Sequence, residues 1–124
     1  MAKFADDSVL DAGLNIVKTT ATQLCLCAGL PASYAEATGS KMLVLKTGLT
    51  SGSFTGPVDD TSGRKLTKTA ETGITVTNTG TADHAALCSG TVLLYVTDIL
   101  PTQVVTAGNS CNTPIFKINF QDPT

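Results

Sequence analysis

The sequence predicts a mainly β fold, a single-domain antiparallel β-sandwich or small barrel with an N-terminal α-helix. Three observations predict it. Threonine fills roughly a sixth of the 124 residues, far above its usual share, and β-branched side chains stiffen extended backbone and suit a solvated sheet face. The C-terminal half carries short alternating apolar runs separated by turn residues. Only one stretch, near the N-terminus, repeats with the period of a helix. A chain of this length holds one hydrophobic core without staples, and no linker or internal repeat divides it.

The helix is expected over 8–18. Ser8 followed by Asp11 matches a capping box with Asp in place of Glu. Leu10, Leu14 and Val17 form the apolar stripe. Asp7 and Asp11 near its start and Lys18 near its end suit the helix dipole, and Thr19-Thr20 marks the stop. Residues 1–7 read as a flexible N-terminal segment. Met1-Ala2-Lys3-Phe4-Ala5-Asp6-Asp7 turns acidic before any hydrophobic stretch, unlike a secretion signal, so folding in a cytoplasm is expected.

Thr22 to Ala28 is a strand buried on both sides, with Leu24 and Leu26 on one face and Cys25 and Cys27 on the other. Gly29-Leu30-Pro31 breaks it, and Tyr34 to Thr38 fits one helical turn. Lys41 to Lys46 has the length of a second strand, although its apolar pattern alone also fits a helix. Residues 47–63, rich in Gly, Ser, Thr and Asp, read as a long surface loop whose only apolar handles are Phe54 and Val58. Arg64 to Thr69 and Gly73 to Asn78 alternate as strands. Ala85 to Cys88 and Thr91 to Thr97 flank Ser89-Gly90, a hairpin signal. Gln103 to Thr106 and Ile115 to Phe120 complete the strands, the last with Phe116, Ile118 and Phe120 on one face.

Reactive residue types are scarce. There is one histidine, His84, one arginine, Arg64, and no tryptophan. The net charge of −2 argues against nucleic-acid binding, which needs a basic face. There is no polybasic cluster for anionic lipid and no apolar run of the roughly 20 residues that span a bilayer. Lys41, Lys46, Arg64, Lys65 and Lys68 offer at most a modest basic patch, suited to an acidic protein surface.

Cys25, Cys27, Cys88 and Cys111 read as buried or free thiols without a secretion signal. Cys25, Cys27, His84 and Cys88 are zinc-ligand types, but His84 and Cys88 lie about 13 Å apart on an extended strand. A catalytic cysteine beside His84 needs an exposed thiolate and an orienting acid. Asp83, adjacent to His84, points elsewhere on a strand. Asp59-Asp60 and Asp6-Asp7 lack the alternating oxygen ligands of a calcium loop and read as solvated. Ser62-Gly63-Arg64-Lys65 reads as a turn leading into a strand rather than a phosphate loop. No cofactor, metal or catalytic residue is expected.

Several stretches resemble small structural proteins of tailed bacteriophages, encoded near the capsid genes. They are Asp11-Ala12-Gly13-Leu14-Asn15-Ile16-Val17-Lys18, Gln23-Leu24-Cys25-Leu26-Cys27 and Pro31-Ala32-Ser33-Tyr34-Ala35-Glu36-Ala37. The resemblance continues in Ser62-Gly63-Arg64-Lys65-Leu66-Thr67, Gly80-Thr81-Ala82-Asp83-His84-Ala85-Ala86-Leu87, Leu93-Leu94-Tyr95-Val96-Thr97 and Asn112-Thr113-Pro114 with the terminal strand. It implies a virion component, a head decoration (cement) protein on the capsid surface. The implied partner is the major capsid protein, whose subunits it would bridge as a homo-oligomer, a dimer or trimer, without nucleic acid or membrane. Lack of a core pattern points to Ala2, Lys3, Phe4, Ala5, Asp6 and Asp7, or to the Gly48-to-Gly63 loop with Phe54 and Val58, as the capsid contact. A phage neck or tail component is the alternative. From other classes come a carbohydrate- or receptor-binding module and, last, a thiol or zinc enzyme.

Overall fold

The helix forms because its start is capped and one of its faces is apolar. In the structure, a computed structural model that describes residues 5–121, α1 spans Asp7–Thr20. It begins one residue earlier than the sequence predicts, because Asp6 and not Ser8 is the cap. The Asp6 carboxylate accepts from the Ser8 backbone N–H at 2.9 Å and from its hydroxyl at 2.6 Å. These bonds hold the Asp6 carboxyl below its usual range, the hydroxyl bond most. Thr19 and Thr20 stay helical by returning their hydroxyls to Asn15 O and Ile16 O. Of the expected flexible segment, Ala2, Lys3 and Phe4 lie outside the described residues. Asp6 caps the helix, Asp7 begins it, and Ala5 precedes the cap.

The strands are β1 (Gln23–Cys27), β2 (Met42–Thr47), β3 (Phe54–Asp59), β4 (Arg64–Lys68) and β5 (Ile74–Thr75). They continue with β6 (Gly80–Ser89), β7 (Val92–Val105), β8 (Ser110–Cys111) and β9 (Phe116–Phe120). All pairings are antiparallel, in the orders β2-β1-β6-β7, β3-β4-β9 and β5-β8, so the chain is mainly β as its pattern predicts.

β1 is central because it is apolar on both faces. Leu24 and Leu26 join Leu14 and Val17 of α1, Leu66 of β4 and Ile118 of β9 in one core. Cys25 and Cys27 face the other way, into a second cluster with Ala37, Ala86 and Cys88, half-covered by Tyr34, Met42 and Val96. The excursion between β1 and β2 closes this second face. It carries a π-helical turn, Glu36–Ser40, in the stretch expected to form one helical turn. β4 has the alternation of a one-sided sheet: Leu66 and Lys68 are buried, whereas Lys65 and Thr67 are partly exposed.

Several expectations are corrected. Residues 47–63 are not one loop: they hold a 3-10 turn, Ser51–Ser53, and then β3. The Gly56-Pro57 pair interrupts the β3–β4 register between Thr55 and Val58, which hides the strand from its pattern. Gly73 to Asn78 shrinks to β5, since β8 gives it a partner of only two residues. The segments 91–97 and 103–106 are one strand, β7, which runs through Pro101. The hairpin turn is Gly90-Thr91, one position past the expected pair, because Ser89 pairs with Val92 and Gly90 takes the positive φ of 54°.

Candidate interaction surface

The charged residues are mostly used in holding the fold. Arg64, at the start of β4, donates Nε to Asp11 Oδ1 at 2.8 Å and Nη2 to Asp11 Oδ2 at 3.1 Å, a two-point grip on α1. It also donates to Asp59 at 2.7 Å, and Asp7 lies 3.7 Å away. Hydrogen bonds to Asp11 and Asp59 raise its already high pKa. Lys117 donates to Asp60 at 2.6 Å and holds that carboxyl below its usual range; Asn119 adds a second bond at 3.0 Å. Asp59 and Asp60 are therefore partners of strand residues, not a simple solvated pair.

Lys68 is the residue that the sequence hides. It sits on the inner face of β4 with a side chain fully out of water. Its ammonium donates to Thr69 O at 2.6 Å, lies 3.5 Å from Glu71 and 6.0 Å from the centre of the Phe54 ring. Burial lowers its pKa, and Glu71 opposes the shift. Lys46 reaches the same Glu71 at 4.0 Å. The expected basic patch does not assemble: Arg64, Lys46 and Lys68 are each turned to an acid.

The thiols behave as core. All four cysteines are free; Cys25, Cys27 and Cys88 are buried and Cys111 is half-buried. Cys27 donates to Ala37 O at 3.6 Å, and burial first, then the neighbouring Cys88 and Asp83, pushes its pKa up to about 11. A hydrogen bond with Cys88, together with burial, pushes Cys25 up. These are not the exposed, polarised thiolates that nucleophilic chemistry needs. Among the described residues no three His, Cys, Asp or Glu side chains converge to hold a metal ion.

His84 brings a correction. The β6–β7 pairing is irregular between Ala82 and His84, and Asp83 does not point away: its Oδ1 lies 2.8 Å from His84 Nδ1. The same oxygen accepts from Gly29 N at 2.7 Å, which ties the β1–β2 excursion to β6. The bond to His84, then that to Gly29, holds the Asp83 carboxyl below its usual range.

Several large apolar side chains stay exposed, among them Leu100, Val104 and Ile115, with the carboxylate of Asp98 beside them. Of the expected contact residues, Phe54 is buried in the core, so it is not an accessible handle. Val58 is 44% exposed, opposite Lys65 on the outer side of β4. The surface that sequence reasoning missed is a groove of about 240 Å³ between residues 97–100 of β7 and the 114–116 segment. Leu100 and Ile115 on its rim are 81% and 64% exposed, while Ile99 and Phe116 line it more deeply. Ile99 and Leu100 fall between the two strands expected at 91–97 and 103–106, and Ile115 and Phe116 lie in the last strand, so only the tertiary arrangement makes the groove visible. No helix among the described residues is long and apolar enough to cross a membrane. No protein-family model, curated protein or solved structure matches the chain.

Proposed function

We propose that this chain is a non-enzymatic virion structural protein, a decoration protein that binds the outer surface of a tailed-phage capsid and bridges major capsid protein subunits. The observation that carries the reading is the ordered run of phage-like stretches from Asp11 to the terminal strand. The disposition of its charges supports it. Arg64, Lys68 and Lys117 are each engaged by acids of the same chain, so exposed apolar side chains such as Leu100 and Ile115 are available to a partner. Such a contact is individually modest, and many copies on a repeating lattice turn modest contacts into lasting attachment.

The contact with the capsid is assigned to the Leu100–Ile115 rim, where exposed apolar side chains stand beside a groove able to seat a partner's side chain. Leu100→Glu combined with Ile115→Glu is expected to weaken binding to purified, DNA-filled capsids at least about tenfold, with little change in the unfolding midpoint. Cosedimentation at several protein concentrations reads this directly. Unchanged binding by a folded variant would remove the rim from the interface. Failure of the wild-type chain to bind any capsid of its source would remove the decoration reading itself.

A further inference from the structure

The groove between β7 and the 114–116 segment is built before any partner arrives, because both of its walls are fixed. On one side, Thr97 and Asp98 pair with Ala85 and His84 of β6. On the other, Thr113 is buried just before Pro114 and tied twice to Glu71: its N–H donates to Glu71 O at 2.8 Å, and its hydroxyl accepts from Glu71 N at 2.8 Å. From Phe116 onward the segment is β9, paired with β4. Among the described residues no backbone hydrogen bond joins 97–100 to 114–116, so a slot stays between the walls. A seat already in place loses little freedom when it is filled.

The size and lining of the slot narrow what it holds. At about 240 Å³ it falls short of the roughly 300–1,000 Å³ of small-molecule sites, and its scale is that of about one or two side chains. Ile99 and Phe116 give it an apolar interior, and Leu100 and Ile115 stand exposed at its mouth. No lysine, arginine or histidine lines it, and its one charged residue is Asp98.

Asp98 is also the acid that the fold leaves unmatched. Among the described residues, Asp7, Asp11 and Asp59 face Arg64, Asp60 faces Lys117, Glu71 faces Lys68 and Asp83 faces His84. Asp6 caps α1, and Glu36 accepts from Ala32 N. The Asp98 carboxylate has neither a cation nor a backbone N–H and is met only by the Thr97 hydroxyl, at 3.5 Å. His84 stands opposite it in the β6–β7 register, but its Nδ1 lies 2.8 Å from Asp83.

We infer that the groove takes an apolar side chain of the partner that is flanked by a lysine or arginine, whose cation meets Asp98. The apolar interior accepts the first and the unmatched carboxylate accepts the second, while an acidic flank would be repelled. The inference rests on the decoration reading for the owner of that segment, but the groove chemistry is read on the free chain.

The probes are N-acetyl-Leu-Lys amide and N-acetyl-Leu-Glu amide, titrated to about 20 mM into the full chain and followed by proton–nitrogen correlation NMR. The lysine peptide is expected to shift the amides of Asp98, Ile99, Leu100, Ile115 and Phe116 saturably, with a dissociation constant in the millimolar range. The glutamate peptide is expected to bind at least about threefold more weakly, the scale of one exposed ion pair. Asp98→Asn should abolish that difference and leave the spectrum away from the groove unchanged. If that variant does not fold, the comparison of the two peptides on the wild-type chain decides alone. An absence of shifts at these amides overturns the inference, as do equal affinities for the two peptides. A difference that survives Asp98→Asn overturns it as well, by assigning the charge preference to another residue. Peptide discrimination by a chain that binds no capsid would keep the groove chemistry and remove the decoration reading; a chain that binds capsids without discriminating would do the reverse.

Discussion

Glu71→Ala is expected to cost about 3–5 kcal/mol, because it strips the counter-ion from an ammonium that has no water to turn to. Lys68 is fully buried, and its Glu71 partner stands 3.5 Å away. Lys68→Met removes the charge along with the need for a partner and is expected to lie within about 1 kcal/mol of wild type. The double variant Glu71→Ala/Lys68→Met should recover most of the loss, a non-additivity that a denaturation cycle measures. If Glu71→Ala alone proves harmless, the pair is not what neutralises Lys68.

The same lysine sets a pH dependence of known sign. Its folded pKa is lowered from 10.5 by burial. Between that lowered value and 10.5 the unfolded chain binds more protons than the folded one, so stability from this group rises as pH rises. At lower pH both states are protonated and the full penalty of burying the charge remains. Wild type should therefore gain on Lys68→Met as pH climbs toward 10.5. The difference between the two proteins in urea unfolding isolates Lys68, since Cys27, with its pKa of about 11, is common to both.

Gly63→Ala is the second large effect, expected at about 2–5 kcal/mol from left-handed backbone strain and overpacking together. Gly63 has φ of 76°, and a Cβ there would lie 1.8 Å from Phe120 O, in backbone that has little room to move because Arg64 pairs with Phe120. The substitution should loosen β9 from β4 where Arg64 grips α1. A thermal midpoint lower by on the order of 10 °C is the expected readout. An unchanged midpoint would mean that the turn can re-form around a side chain.

Where one physical signal dominated, the fold was legible in the sequence. Leu10, Leu14 and Val17 gave the helix its stripe, and the doubly apolar run Leu24-Cys25-Leu26-Cys27 made β1 central, as the two core clusters show. Boundaries and exceptions were less legible. Asp6 displaced Ser8 as the cap because its carboxylate, two residues upstream, accepts from the Ser8 amide itself. β3 was concealed by Gly56-Pro57 and by polar residues on its outward side.

Contacts between distant segments explain the rest. Alternation puts Lys68 on the inner face with Leu66, but a lysine is seldom fully buried unless paired, and its partners Glu71 and Phe54 are known only once the chain is folded. Asp83 meets His84 through an irregularity that strict alternation does not anticipate. The groove at Leu100 and Ile115 exists only once the tertiary arrangement is known.

The proposed decoration role is decided by the copy number of this chain in purified, DNA-filled particles of the phage proposed to encode it, by quantitative mass spectrometry against the major capsid protein. Decoration of the whole lattice predicts a ratio near one or a simple fraction of it, the regime in which many weak contacts act together. A few copies to a few tens per particle would contradict lattice-wide decoration and place the chain at the neck or tail, and its absence from the particle would contradict the virion role altogether.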